Sequence, residues 1–413
     1  MNLWINWDNK RVSIDANAGR IGKFNRLTAS MAEQHPPPME TSVRRDTGVL
    51  PYQVLAALVG SGEISAGRPI EPAQLQPASL DLRLGTMAWR VRASFLPGPK
   101  RTVADQIKSF GLHEIDLTGG ALLERGCVYI VPLLESLALS PALSGVANPK
   151  SSIGRLDVFT RLITDQGADF DVVLRGYHGP LYAEIFPRTF SIIARTGSRL
   201  NQLRLVRGTP DVREAELKRL LDNNEVLDRT LSEREIATLF RGVPLSVDLA
   251  GIGGSNLIGY KARPHAPLVD LDRIGHYDPT LYWEPIHRSA ETCVVLNPED
   301  FYILASREAV SVPVDCAAEM VPYDAFAGEF RAHYAGFFDP GFGAEQVGAA
   351  GTRAVLEVRS HGVPFAIEDG QLVGRLKYEH LTDVPDRLYG AAAGSSYQRQ
   401  GLQLSKHFRP WPE

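Results

Sequence analysis

The pattern of the run Tyr129-Ile130-Val131-Pro132-Leu133-Leu134-Glu135-Ser136-Leu137-Ala138-Leu139 recurs later in this chain. It returns as Tyr302-Ile303-Leu304-Ala305-Ser306-Arg307-Glu308-Ala309-Val310-Ser311-Val312, an offset of 173 residues from Tyr129 to Tyr302. The tyrosine, the apolar pair and the glutamate recur in place. The same offset carries Glu184, in Leu181-Tyr182-Ala183-Glu184-Ile185, to Glu357, in Ala354-Val355-Leu356-Glu357-Val358. A duplicated domain is the economical explanation.

Outward from the repeat, the pattern stays that of strands. Leu80, Leu82 and Leu84 alternate with Asp81 and Arg83 within 76–85, the period of a half-buried strand. Further strand-like runs fall at 87–93, 127–134, 138–146 and 182–195, punctuated by glycine and proline. Many short strands imply a sandwich, jelly roll or barrel rather than a βαβ fold. Leu245-Ser246-Val247-Asp248-Leu249-Ala250-Gly251 echoes 78–85 and opens the second copy. Helical spacing is confined to 50–59, where Pro51 suits a helix start, and to 209–241. In the latter, Ser232 and Glu235 form a capping-box signature. The expected architecture is mainly β, with two domains in tandem and a few short helices. Its parts are an N-terminal extension at 1–45, a first domain at 46–208, a helical linker at 209–243, a second domain at 244–386 and a tail at 387–413. The extension is polar and irregular, and Met31 within it is a candidate natural start.

Composition narrows the function. The 413 residues are too many for one ordinary core. A net charge of -4 gives no broad basic field, which argues against binding of a nucleic-acid polymer. The three cysteines, Cys127, Cys293 and Cys316, stand far apart without a CxxC, as expected of a chain in a reducing cytoplasm. No apolar run reaches the roughly 18 residues of a membrane span, and residues 1–30 hold no apolar core of a signal peptide. The HxE with PCxxC of zinc-dependent base deaminases is absent, and no metal-ligand spacing stands out among the ten histidines.

Three stretches carry chemistry. Asn148-Pro149-Lys150-Ser151-Ser152-Ile153-Gly154-Arg155 sets a lysine, two hydroxyls, a glycine and an arginine within six residues, a group suited to phosphate oxygens. It lacks the GxxxxGK[ST] spacing of a Walker A loop. Glu184 and Glu357 are carboxylates among apolar strand residues, where burial raises the pKa toward that of a general base or acid near neutrality. Phe337-Phe338-Asp339-Pro340-Gly341-Phe342-Gly343 is a turn whose aromatics can line a planar base pocket while Asp339 accepts from a sugar hydroxyl. Phe170-Asp171 stands at a similar place in the first copy. The glycine-hinged end, Tyr389 to Lys406-His407-Phe408, reads as a lid that orders on ligand.

Together these stretches resemble the dCTP deaminases of the dUTPase-like superfamily. The resemblance rests on Gly62-Glu63-Ile64 after the first helix, 76–85, 150–155, 338–343, 354–358, and Tyr389 with Tyr397-Gln398-Arg399-Gln400-Gly401. It implies distorted jelly-roll (β-clip) domains arranged as trimers, with sites between subunits and substrate contacts from Tyr389, Tyr397 and Gln400. It also implies zinc-independent deamination of dCTP to dUTP and ammonia. A glutamate, Glu357 or Glu184, activates water for attack at C4, and Mg²⁺ arrives with the triphosphate. The alternatives are a dUTP diphosphatase, a bifunctional enzyme giving dUMP and diphosphate, or a nucleotide-binding regulator without turnover. The chain departs from the family in two respects. The offset places Asp324, Ala325 and Gly328 where the first copy has Ser151, Ser152 and Arg155, so the phosphate stretch survives once. Ser396 stands where the family's tail has a lysine, leaving Arg399 or Lys406 to replace it. One composite site is therefore expected: Lys150, Ser151, Ser152 and Arg155 from the first domain, Asp339 and Glu357 from the second, closed by the tail.

Overall fold

The alternation of apolar residues becomes two β-sheet systems of one design. They are seen in a computed structural model that describes residues 44–289, 293–322, 330–332, 336–344, 346, 350–360, 362–390, 397 and 400–412. Apart from Arg44 and Arg45, the extension at 1–45 and its Met31 start lie outside the described residues. So do Asp324, Ala325 and Gly328, and Ser396 and Arg399 of the tail. No helix among the described residues is long and apolar enough to cross a membrane.

In the first half, Arg199–Arg207 pairs with Gly48–Val49, Leu80–Arg83 and Leu143–Pro149, and the last of these with Val172–Val173. In the second half, Leu372–His380 pairs with Val243–Ser246 and Cys316–Pro322, and the latter with Phe337–Phe338. The other large sheet runs in the order Gly111–Asp116, Met87–Val91, Val128–Ala138, His178–Pro187 and Val158–Thr164. Its counterpart runs Trp283–His287, Leu257–Ala262, Tyr302–Val310, Thr352–Ser360 and Phe330–Ala332, the same succession. The strand pairs in these sheets are antiparallel.

The repeat holds at the level of single bonds. Ile130 lies opposite Glu184, and Ile303 opposite Glu357. The Tyr129 hydroxyl accepts from the Glu124 amide at 2.9 Å, and Tyr302 from the Asn297 amide at 3.0 Å. Glu135 accepts from the Arg83 amide at 2.8 Å and Glu308 from the Ser246 amide at 2.8 Å. Each glutamate is also held by an arginine, Arg83 at 2.8 Å and Arg229 at 3.0 Å respectively. These two buried carboxylates serve the architecture: each ties a neighbouring strand to the strand that carries it.

Two correspondences read from the sequence shift. Asp81 pairs with Gln202 and Pro244 with Arg375, so Pro244, not Asp248, occupies the place of Asp81. The echo of 78–85 was four residues out of register, because a slide by an even number leaves the strand's alternation unchanged. Likewise the Ala147 amide donates to the Asp171 carbonyl and the Met320 amide to the Gly336 carbonyl. Asp171 therefore matches Gly336, and Leu174 stands where the second copy has Asp339. A shorter connection in the second copy drops the local offset from 173 to 165.

Two apolar cores lie beneath these sheets. Leu55, Leu80, Leu82, Val131 and Leu203 belong to the first, and Leu245, Leu304, Leu356 and Leu376 to the second. Leu217 and Leu220 of the helix Glu214–Asp222 join the second core, so the segment at 209–243 packs with the second half. Tyr52–Ser61 and Glu233–Ile236 are helical as expected. The first ends at Gly62 with φ 83°, a left-handed cap that glycine adopts without a Cβ penalty. The second carries the Ser232–Glu235 capping box. The halves are tied by an ion pair between Arg359 and Asp157, both almost fully buried.

Candidate active site

The phosphate-type stretch begins where a strand stops. Leu143–Pro149 ends at Lys150, whose amide donates to the Leu200 carbonyl at 2.8 Å. Ser151–Gly154 then forms a single helical turn. The first amides of such a turn have no carbonyl partners within it, so they and the two serine hydroxyls are available as anion donors. This corner faces the second half of the chain across a cavity of about 340 Å³. Lys150, Ser151, Ser152 and Arg155 line it from the first half, with Phe337, Phe338, Asp339, Phe342 and Glu357 from the second. Tyr389, Tyr397, Gln400 and Lys406 line it from the end of the chain. The residues of the expected composite site thus share one cavity within a single chain.

Glu357 sits in Thr352–Ser360, a strand buried on both sides, and is 6% exposed. Burial pushes its carboxyl up to about 7, against the opposing pull of the Arg155 guanidinium. The Arg155 Nε lies 3.9 Å from the Glu357 carboxylate and has no hydrogen-bond partner among the described residues. The remaining guanidinium nitrogens are spent on the tail. They donate to the Gln403 carbonyl at 3.0 Å and the Gln400 side chain at 2.8 Å, and the group lies 3.8 Å from the centre of the Tyr397 ring. Arg155 is thus fixed in place while one donor remains directed toward the glutamate.

Asp339 is held differently. Burial raises its carboxyl to about 6, and the Arg204 and Lys150 charges oppose the rise. One Asp339 oxygen has no hydrogen-bond partner among the described residues, and the nearest Arg204 nitrogen is 3.9 Å away. Arg204 itself is fully buried, bonded to Glu379 at 3.1 Å and lying 3.9 Å from the centre of the Phe337 ring. Phe338 meets Phe342 edge-on, with ring centres 5.1 Å apart, and Phe342 lies 5.4 Å from Tyr389. An acceptor beside a wall of aromatic rings suits a planar heterocycle and its attached sugar. At the far end, Lys150 pairs with Asp81 at 2.5 Å, and Arg199 approaches the same carboxylate at 4.0 Å. A polyanion entering here finds Lys150, Arg199 and Lys406 together. Burial, and then the Lys150 charge, hold the Lys406 ammonium below its ordinary pKa.

The end of the chain is anchored more firmly than a free lid. Leu404 and Phe408 belong to the first core, where the Phe408 ring lies 5.1 Å from Tyr282 and 5.9 Å from Trp283. Ser405 donates to the Ser152 carbonyl at 2.7 Å and pairs with His407 at 2.8 Å. Burial, helped by Lys406, lowers His407 to about 4. Residues 391–396, 398 and 399, the glycine-hinged part of the expected lid, lie outside the described residues.

Glu184 and Asp171 do not line this cavity. Glu184 pairs with Arg161 at 2.5 Å, and the Arg161 guanidinium lies 3.6 Å from the centre of the Phe170 ring. Asp171 accepts from the Leu162 amide at 2.7 Å, and burial raises its carboxyl to about 7. Asp81, Arg199 and Gln202, which line the cavity, and Arg204, 3.9 Å from the Asp339 carboxylate behind it, escaped the sequence reading as site residues. Arg204 had the signal that singled out the glutamates, a charge inside the apolar run Leu203-Arg204-Leu205. Arg199 and Gln202 look like ordinary polar positions of a strand, and only folding sets them beside Lys150.

Residues 46–209 match the family model for the 2'-deoxycytidine 5'-triphosphate deaminase N-terminal domain, and 213–408 the model for the C-terminal domain of the same family. A relative from Halobacterium salinarum, "dCTP deaminase, dUMP-forming", is 34% identical over 116 residues, 27% of this chain and 55% of its own length. The chain thus spans about half the length of that relative. A "dCTP deaminase" from Natronomonas pharaonis is 28% identical over 203 residues, 47% of this chain and 92% of its own length. The crystal structure of a 2'-deoxycytidine 5'-triphosphate deaminase from Agrobacterium tumefaciens superposes with a TM-score of 0.77 at 51% identity. It covers 82% of this chain and all of that one (100%).

Proposed function

The chain belongs to the dCTP deaminase family, and we propose that it hydrolyses dCTP to dUTP and ammonia in the cavity between its halves. The observation that carries this reading is Glu357. It is a buried carboxyl that titrates near neutrality, beside an arginine with a free donor, in the cavity that holds the phosphate-type corner.

In this reading the base lies against Phe338 and Phe342, Asp339 accepts from the sugar hydroxyl, and Tyr389 and Tyr397 cover the nucleoside. Lys150, Ser151, Ser152 and Lys406 take the triphosphate, and Lys406 fills the role of the tail lysine that Ser396 cannot. The Glu357 carboxylate takes a proton from water as its oxygen attacks C4, and gives that proton to N3. The remaining water proton follows through the same carboxylate to the amino group as the C4–N bond breaks. Ammonia leaves and C4 keeps the oxygen, so the balance is dCTP plus water to dUTP plus ammonia. Arg155 stabilises the carboxylate form without neutralising it for good. Water activation is assigned to Glu357, and the described residues that line the cavity include no histidine or cysteine, the ligands zinc sites favour. Mg²⁺ is assigned to the triphosphate. The corner beside it is made of cations and hydroxyls, and its Asp81 is engaged by Lys150. Homo-oligomers with a trimeric arrangement of domains remain part of the proposal, tested by the mass of the particle in solution.

A second reading gives dUMP and diphosphate, and it is favoured by relatives named dUMP-forming from Halobacterium salinarum and Kocuria rhizophila. Incubation with dCTP and Mg²⁺, followed by separation of dUTP, dUMP, diphosphate and ammonia, decides between the two. Nucleotide binding with no product would instead identify a regulator.

A further inference from the structure

Away from the cavity, the start of Cys316–Pro322 meets the end of Leu372–His380, and there Cys316 and His380 stand opposite each other across the two strands. With Asp315 they form a group whose ligand-type atoms all lie within 4.8 Å of one another. Nothing in the reaction uses them. The 173-residue offset places Ala142, Leu143 and Arg207 at the same points of the first copy, so the duplicated backbone does not require this trio.

The imidazole is set up in one tautomer. Its Nε2 lies 3.0 Å from a Glu216 carboxylate oxygen, which can only accept, so the ring proton sits on Nε2. In the neutral ring the Nδ1 lone pair is then bare, and Nδ1 is buried with no partner among the described residues. A histidine that donates one ring N–H to a carboxylate and presents the other nitrogen unbonded has the arrangement of a metal ligand with its outer partner in place. Asp315 is prepared in a similar way. One oxygen accepts from Arg45 at 3.0 Å, and the other takes the Cys316 thiol at 3.7 Å.

We propose that Asp315, Cys316 and His380 bind a zinc ion, with water as the fourth ligand. One sulfur, one nitrogen and one oxygen donor suit zinc over magnesium or calcium, which take oxygen sets. Zinc–ligand bonds of about 2.0–2.3 Å place tetrahedral donors roughly 3.3–3.8 Å apart, so the group closes by about 1 Å on binding. Water reaches it from an adjoining cavity of about 560 Å³ that His380 and Glu216 line. Binding turns the Cys316 thiol into a thiolate and releases one proton, so affinity rises with pH. The ion would tie the helix Glu214–Asp222, through Glu216 and His380, to the strand that begins at Cys316.

The test is titration of the metal-stripped full chain with Co²⁺, followed by competition with Zn²⁺. One equivalent is expected to bind with a thiolate-to-cobalt charge-transfer band in the near ultraviolet, and Zn²⁺ should erase it. The band should persist in a Cys127→Ser, Cys293→Ser double variant, where Cys316 is the only thiol left, and vanish in Cys316→Ser. Glu216→Gln should weaken binding about 10–100-fold. No band in the wild type, loss of the band in the double variant, or its survival in Cys316→Ser overturns the proposal.

Discussion

At the scale of single residues, Glu357 sets two expectations that oppose each other. The proposed reaction needs its carboxylate, and burial holds the group up to about 7. The rate at limiting dCTP should therefore rise with pH through about 7 and level off above it, which a pH profile of kcat/KM would show. Stability should run the other way. A carboxyl raised from 4.5 to about 7 makes the folded state hold a proton that the unfolded chain has released, so stability is lost as pH rises between those values. Glu357→Gln removes that loss. The variant should unfold at a higher temperature than the wild type at pH 8, by an amount worth about 1–3 kcal/mol, while the two converge near pH 4. Thermal melts at the two pH values check this. The glutamates were legible in the sequence because a charge in an apolar strand is conspicuous. Their division of labour was not, since Arg161 beside Glu184 and Arg155 near Glu357 are brought there only by the sheet.

At the scale of elements, the repeated strands are pinned by the buried pairs Glu135–Arg83 and Glu308–Arg229. Glu135→Ala strips a buried guanidinium and a buried amide of their acceptor. It should destabilise the chain by about 3–5 kcal/mol in chemical denaturation, whereas Glu184→Gln leaves its arginine near the surface and should cost less. The strands themselves could be read from alternation. Their register could not, because a period of two tolerates even slips. That is how Asp248 took the place of Pro244, and a shortened connection hid Leu174 behind Asp171. At the end of the chain, composition suggested a mobile lid, but Leu404 and Phe408 are core residues. Phe408→Ala should cost about 3–5 kcal/mol of stability, a loss that a free tail would not show.

At the scale of the whole molecule, the repeat made two domains predictable, and the loss of Lys-Ser-Ser chemistry from the second copy led to the expectation of one site shared by the halves, which one cavity lined from both halves can accommodate. One half contributes Lys150, Ser151, Ser152 and Arg155, and the other Asp339 and Glu357, within one chain. Two inactive variants, Arg155→Ala and Glu357→Gln, should then fail to restore activity when mixed and reassociated, because neither chain keeps a whole site. Recovery of activity on mixing would show that the two parts meet between chains. The most direct test of the account is ammonia release from dCTP by Glu357→Gln and Glu184→Gln measured side by side. The account predicts a fall of about 10²–10⁴-fold for Glu357→Gln and a rate within a few-fold of wild type for Glu184→Gln. Loss of activity in Glu184→Gln with Glu357→Gln still active would place the reaction in the other half and contradict it.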